Sequence, residues 1–348
     1  MKIIPAKTSR RDQIDFNQLT FGQIFTDHMF ICDFKDGAWQ TPEIVPYGPI
    51  SIAPSMSALH YGQAVFEGMK AYKDTAGGVW LFRPDENFNR INRSSERLSI
   101  PAFPKEYFFE GLNALLKLDQ NWIPSDAGSS LYVRPFVFAN TAGIQASPAK
   151  EYRFMIICSP VKAYYSGAMR VKVEEKFSRA APGGVGYAKA AGNYAAQFYP
   201  TGLAQKEDYQ QVIWTDASAH QNLEESGTMN VFVRLNDELI TAPTSDSILD
   251  GVTRKSILQI AKDKGIAVVV RPIAIAELLE GHASGALKEV FGCGTAVVIS
   301  PFEGLGFQNN YYPIEAPTDS FAQMLKETLV GIQYNTLEDP YNWRYKVL

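Results

Sequence analysis

From Leu59 onward the sequence alternates strand-like with helix-like runs, the pattern of layered α/β or α+β domains. Residues 67–72 and 79–82 read as paired strands around the turn-rich link Asp74-Thr75-Ala76-Gly77-Gly78. Pro84 then opens a helix in which Phe88, Ile91 and Leu98 share one face, with Arg90 beside that stripe. A second helix fits residues 105–118. Residues 131–138 and 152–157 are rich in aromatic and β-branched residues and read as strands, and another strand starts at 169–173 after the break at Ser166-Gly167. In the second half, strands are expected at 210–214, 229–233 and 267–270, and helices at 252–264 and 320–333. Hairpin-like pairs mix with helices, so a doubly wound parallel sheet is only the second choice.

A chain of 348 residues exceeds the usual size of one domain. The expected division is a smaller N-terminal α/β domain over 1–165, a linker over 166–172 and a larger C-terminal domain over 173–348. No apolar run approaches the roughly 18 residues of a membrane span. The net charge is −4 and no basic stripe is interleaved with aromatics, which excludes nucleic acid and points to a small-molecule ligand. Cys32, Cys158 and Cys293 form no CxxC pair, and His28, His60, His220 and His282 show no metal-pair spacing, so neither a metal site nor a disulfide scaffold is expected. The first thirteen residues lack a secretory signal, and a cytoplasmic location is expected.

Residues 183–194 carry one charged side chain, Lys189, among glycines and alanines. A poorly solvated ammonium loses its proton more readily, so such a niche favours a reactive amine. Taken alone, Lys189 fits an ordinary turn lysine as well, and Lys70 also follows a glycine. If the amine condenses with an aldehyde cofactor such as pyridoxal phosphate, the protein must also supply a carboxylate for the pyridine nitrogen and an anion cradle for the phosphate. Glu225, before the turn at Gly227, is a candidate for the first task, with Glu224 as its rival. Asp250-Gly251-Val252-Thr253-Arg254 enters a helix whose free N–H groups attract anions, and Arg90 could add a planar clamp. Gly292-Cys293-Gly294-Thr295-Ala296 is a further small-residue turn whose amides could bind carboxylate or phosphate oxygens.

Together these segments resemble the branched-chain amino-acid aminotransferases, within the fold-type IV pyridoxal-phosphate enzymes that also include D-amino-acid aminotransferases. The likeness runs from about residue 21 to 334 and rests on Leu59-His60-Tyr61-Gly62-Gln63-Ala64-Val65-Phe66-Glu67-Gly68, Leu131-Tyr132-Val133-Arg134-Pro135, the Lys189 segment, Glu225-Ser226-Gly227-Thr228-Met229-Asn230, Gly251-Val252-Thr253-Arg254 and Gly294-Thr295-Ala296. The resemblance implies that Lys189 carries pyridoxal 5'-phosphate as a Schiff base, which would make the C-terminal domain the cofactor anchor. It implies Glu225 at the pyridine nitrogen, Tyr194 at the phenolic oxygen, Leu249 against the ring and Arg179 nearby. The phosphate contacts it implies are Arg90, Val252, Thr253 and Thr295, with Gly251 and Gly294 also in the cofactor site. Tyr61, Phe66, Tyr132, Arg134 and Tyr164 match the substrate pocket, and Thr295 and Ala296 match the α-carboxylate turn. The family forms homodimers that donate pocket residues across the interface, where Ile144 and Ala146 would sit.

A transaminase of this kind accepts an aliphatic amino acid and glutamate in one pocket, so it needs apolar walls and a cation that only the second substrate touches. The expected reaction is ping-pong transfer between L-leucine, L-isoleucine or L-valine and 2-oxoglutarate. The rivals are a D-amino-acid aminotransferase, an aminodeoxychorismate lyase, or a catalytically inactive ligand-binding relative. Some relatives carry a redox CxxC after Gly-Thr-Ala; here those places hold Val297 and Ser300, so thiol regulation of that kind is not expected.

Overall fold

A computed structural model describes residues 1–162 and 169–348 of the chain. The chain divides into two compact units, one formed by Met1–Tyr164, Ala188–Gly192 and Ile332–Leu348, the other by Tyr165–Tyr187 and Asn193–Gly331.

In the first unit the strands run in the order Lys2–Ile3, Glu43–Pro46, His28–Lys35, Tyr152–Val161, Ser130–Ala139, Met69–Lys73, Val79–Phe82 and Arg344–Lys346. All neighbours are antiparallel except the first pair. The helices Pro84–Arg97 and Lys105–Leu118 belong to this unit. Pro84 stands at the first helical position, where a missing N–H costs no helical bond. The second helix comes close to the sheet at Gly111, since any Cβ there would collide with the ring of Phe30. Phe30, Phe103, Phe108 and Phe154 fill that core, the rings of Phe103 and Phe154 stacking at 3.7 Å.

One break in this sheet shapes the site. Ala64–Phe66 and Met69–Lys73 both pair with Ser130–Ala139, but in separate stretches, with Phe66 opposite Phe136 and Met69 opposite Val133. Between them Pro135 has no N–H to donate to the ladder. Its carbonyl still accepts the Glu67 N–H at 2.7 Å. The strand expected at 67–72 therefore begins only at Met69, and Glu67-Gly68 form a break that separates it from Ala64–Phe66.

In the second unit the order is Leu223–Ser226, Gln211–Thr215, Met169–Val173, Val298–Phe307, Leu287–Gly294, Met229–Leu235, Glu238–Thr241 and Ala267–Val270. Leu223–Ser226 also pairs with Met229–Leu235, which joins the first strand of that order to the sixth and closes six strands on themselves. Phe232 and Phe291, cross-strand partners, stack at 5.3 Å. The helices Val252–Asp263, Ile275–Ser284 and much of Phe321–Gln333 fall in this unit.

The mixed α/β class expected from the sequence is the observed one, but the boundaries differ. Of the expected linker 166–172, residues 169–172 form part of a strand bonded on both sides, and 163–168, including Ser166-Gly167, lie outside the described residues. The chain's last residues return to the first unit because Arg344–Lys346 pairs with Val79–Phe82, so that unit is not the smaller one. Ala188–Gly192 also returns to it, which moves Lys189 out of the C-terminal domain. Pairings between distant segments cause both shifts. Among the described residues no helix is long and apolar enough to cross a membrane, and no group of three or more His, Cys, Asp or Glu side chains is placed to hold a metal.

Candidate active site

Ala188 and Ala190, almost fully buried, belong to the core of the first unit, so the chain between them has little freedom. Ala190 forms an antiparallel bridge with Val65, the Ala191 N–H donates to the Ala64 carbonyl at 3.0 Å, and the Phe66 N–H donates to the Lys189 carbonyl at 3.1 Å. On the other side the Lys189 N–H donates to Ser94 Oγ of the helix Pro84–Arg97 at 2.9 Å. The main chain of Lys189 is thus held at both its donor and its acceptor. Its Nζ lies 4.9 Å from the centre of the Phe66 ring. Burial, reinforced by the Arg90 guanidinium and partly opposed by Glu67, lowers the amine pKa to about 8. A useful fraction of free amine therefore exists near neutral pH.

Arg90 is 5% exposed and pairs with Glu67, which is 0% exposed. Nε meets Oε1 at 2.6 Å and Nη2 meets Oε2 at 2.9 Å, a two-pronged geometry. Asn87, three residues before Arg90 on the same helix face, donates to Oε2 at 2.7 Å. Burial pushes the Glu67 carboxyl up, but Arg90, Lys189 and Asn87 together hold it below its usual value. Tyr132 and Arg134 alternate onto one face of their strand. The Arg134 guanidinium sits 4.6 Å from the Phe66 ring centre and 5.2 Å from that of Tyr132, and its Nη2 donates to the Tyr132 hydroxyl at 3.0 Å. Gly68 makes room for that hydroxyl, because a Cβ there would overlap it. Tyr61, Ile144 and Ala146 are exposed in this chain, and the Tyr61 hydroxyl donates to the Ile144 carbonyl. Tyr164 lies outside the described residues.

The second unit assembles a different set. Glu225 and Glu224 are neighbours on one strand and so point to opposite faces. Glu225 Oε2 pairs with Arg179 at 2.8 Å, while Oε1 accepts from the Leu249 N–H at 2.7 Å and from Asn230 Nδ2 at 3.2 Å. Arg179 also donates to the carbonyls of Gly186 and Ser247. Glu224 accepts the Ser247 hydroxyl, and burial, the largest influence on it, pushes its carboxyl up. The two rivals are thus separated electrostatically, Glu225 having the direct arginine partner.

Gly251 precedes the helix Val252–Asp263, and no side chain caps that helix. Its first N–H groups have no intrahelical partner. Val252 and Thr253 are buried at this end. A Cβ on Gly251 would collide with Asn230 Oδ1, and Asn230 bonds both Glu225 and the Leu249 carbonyl. Gly294 and Val298 pair across a hairpin whose tip is Thr295-Ala296-Val297. Val298 adopts φ +63°, a costly conformation for a β-branched residue, which fixes the shape of this turn. Tyr194 is half-buried on the short helix Gly192–Ala195.

The structure thus gathers Lys189, Phe66, Arg90, Tyr132 and Arg134 in one unit, and Glu225, Arg179, Leu249 and Gly251 in the other. Sequence reasoning missed Glu67, Ser94, Asn87 and Asn230 as partners. The available signals were a carboxylate inside the apolar run Val65-Phe66-Glu67-Gly68-Met69, and Asn87 spaced i, i+3 from Arg90.

The family model for amino-transferase class IV matches residues 64–304. The chain is 41% identical over 345 residues to branched-chain-amino-acid aminotransferase 2 of Bacillus subtilis, covering 98% of this chain and 95% of the relative. It is 44% identical over 347 residues to a probable branched-chain-amino-acid aminotransferase of Staphylococcus epidermidis, covering 98% and 97%. Its fold matches the crystal structure of the Escherichia coli branched-chain amino acid aminotransferase with a TM-score of 0.76 at 24% identity, over 92% of this chain and 99% of the other. The chain belongs to the class IV aminotransferases and, within them, to the branched-chain-amino-acid aminotransferase family.

Replacing Lys189 by Met removes an ammonium whose folded pKa lies below its usual 10.5. Such a group weakens the fold fully below pH 8, and the cost fades as pH rises from about 8 through 10.5. Lys189→Met should therefore stabilise the cofactor-free chain at pH 7 by up to about 3 kcal/mol, less what residual solvation recovers. Denaturant titrations should show the gain shrinking towards pH 10. Gly251→Ala should displace Asn230 and lower stability by about 1–3 kcal/mol, measured by thermal unfolding.

Proposed function

We propose that this chain transfers the amino group between L-leucine, L-isoleucine or L-valine and 2-oxoglutarate, with pyridoxal 5'-phosphate as cofactor. The observation that carries the reading is the Lys189 amine, held by its main chain on both sides, with a pKa of about 8 and beside aromatic walls that contain Arg134.

The residues present fit that cofactor. Lys189 offers an amine of lowered pKa to an aldehyde. The uncapped N-terminus at Gly251, Val252 and Thr253 suits a phosphate, and Arg90 is a further proposed phosphate contact. Glu225, fixed by a main-chain N–H, Asn230 and Arg179, suits a protonated pyridine nitrogen. Tyr194, Leu249, Arg179, Gly294 and Thr295 complete the proposed cofactor set. When bound, the cofactor supplies the electron sink that lets a substrate Cα–H bond break. Lys189 Nζ then accepts the α-proton and returns it, acting as base and then acid. The amides of Thr295 and Ala296 hold the α-carboxylate.

For the side chain, Phe66 offers an apolar wall and Tyr61 and Tyr132 offer apolar walls with hydroxyl tips, and Tyr164 is proposed for the same set. Arg134, already stacked on Phe66 and Tyr132, pairs with the second carboxylate of glutamate. The exposed Ile144 and Ala146 support a homodimer in which they complete the partner's pocket. Cys32, Cys158 and Cys293 are free and buried, which suits a cytoplasmic protein.

Arg134→Ala should slow the glutamate half-reaction about 10- to 100-fold more than the leucine half-reaction, as expected for loss of a charge-assisted hydrogen bond. Single-turnover absorbance with L-leucine, L-valine, L-glutamate and D-alanine reads both. Equal losses remove Arg134 from its role, and conversion by D-alanine alone moves the chain to the D-specific branch.

A further inference from the structure

We propose that Glu67 is a positioning residue of the amino-transfer site, whose carboxylate locks the Arg90 guanidinium and supplies the negative charge that balances two arginines around Lys189 Nζ. This inference rests on the reading of Lys189 as the reactive amine.

The geometry leaves Glu67 little freedom. It is fully buried and its oxygens accept from Arg90 Nε, Arg90 Nη2, Asn87 Nδ2 and the Gly68 N–H at 2.6, 2.9, 2.7 and 3.1 Å. Its own N–H is fixed on the Pro135 carbonyl, and the neighbouring Phe66 N–H holds the Lys189 carbonyl. Glu67 and the lysine main chain are thus attached to the same short stretch of backbone. An arginine held at both ends of one guanidinium edge cannot swing, so its charge stays at a fixed place.

Among the described residues, the groups that act most strongly on the amine are Arg90 from the helix Pro84–Arg97, Glu67 from the break in the sheet, and Tyr132 and Arg134 from the strand Ser130–Ala139. Arg90 and Arg134 favour the neutral amine, whereas Glu67 and Tyr132 favour the ammonium. Glu67 is the carboxylate in this set. Without it, two arginines and burial would act together, and a more acidic ammonium is a weaker base at the substrate α-carbon. Glu67 therefore keeps Lys189 basic enough to take a proton while leaving free amine at neutral pH. A carboxylate serving only to fill the core would have no such effect on the amine.

The test is competitive acetylation of the full-length, cofactor-free chain with acetic anhydride across pH 6–11, the Lys189 peptide being read by mass spectrometry. The wild-type midpoint is expected near 8. Glu67→Gln should lower it by about one unit or more, and Arg90→Gln should raise it. The double variant Glu67→Gln/Arg90→Gln should return it to the wild-type value or slightly above. Glu67→Asp, which keeps the charge, should stay within about half a unit of wild type even if it unfolds at lower temperature. A merely structural Glu67 gives the opposite sign, because loosening the site hydrates the amine and moves the midpoint up towards 10.5 in Glu67→Gln. That result, or an unmoved midpoint, overturns the proposal. If Glu67→Gln does not fold, the double variant and Glu67→Asp decide: an Asp midpoint displaced as far as one unit, or a double variant displaced downward, overturns it. Because the amine is titrated without cofactor or substrate, failure here leaves the transaminase reading intact, and failure of the half-reactions leaves this result readable.

Discussion

The main chain of Lys189 is bonded on both sides, its N–H to Ser94 and its carbonyl to the Phe66 N–H, and the chemistry of the first unit is arranged around that fixed point. An amine is useful at neutral pH only if it is poorly hydrated and its position is reproducible. The half-buried setting of the side chain supplies the first condition, and the strand Ala64–Phe66 supplies the second by pairing with the lysine segment. The same strand ends where Pro135 interrupts the ladder, and this places Glu67 between Arg90 and the amine's surroundings. The break opposite Pro135 thus lies beside both the buried Glu67–Arg90 ion pair and the space that Gly68 leaves for Tyr132.

In the second unit a comparable economy holds around Glu225. The strand alternation sends Glu224 and Glu225 to opposite faces, so two adjacent carboxylates acquire different electrostatic surroundings without any change of residue type. Gly251 permits Asn230 to reach both Glu225 and the Leu249 carbonyl, and the helix that follows keeps an uncapped end. The requirement for glycine at this place is therefore twofold: close packing before the helix and an open anion-attracting terminus.

What could be read from sequence was what is local. Pro84 at the start of its helix, the β-branched strands and the isolated charge of Lys189 each leave a signature within a few residues. The fate of Ala188–Gly192 did not, because its bridge joins Val65 to Ala190 across more than a third of the chain. The tail at Arg344–Lys346 was missed for the same reason. The residue type and helix position of Arg90 mark it as a clamp for an anion, but its pairing with Glu67 joins segments 23 residues apart, and the only local hint is a carboxylate between Phe66 and Gly68 that needs a partner. Asn230 stands five residues after Glu225 and faces it across paired strands, but its bond to Leu249 depends on how those strands meet a distant loop, which spacing does not encode.

The central claim is that Lys189, and no other lysine, carries the aldehyde cofactor. Sodium borohydride reduction of the protein loaded with pyridoxal phosphate, followed by peptide mass mapping, tests this most directly. The phosphopyridoxyl mass is expected on the peptide containing Lys189 alone. Its appearance on Lys70, which is buried, or its absence from every lysine, would contradict the account.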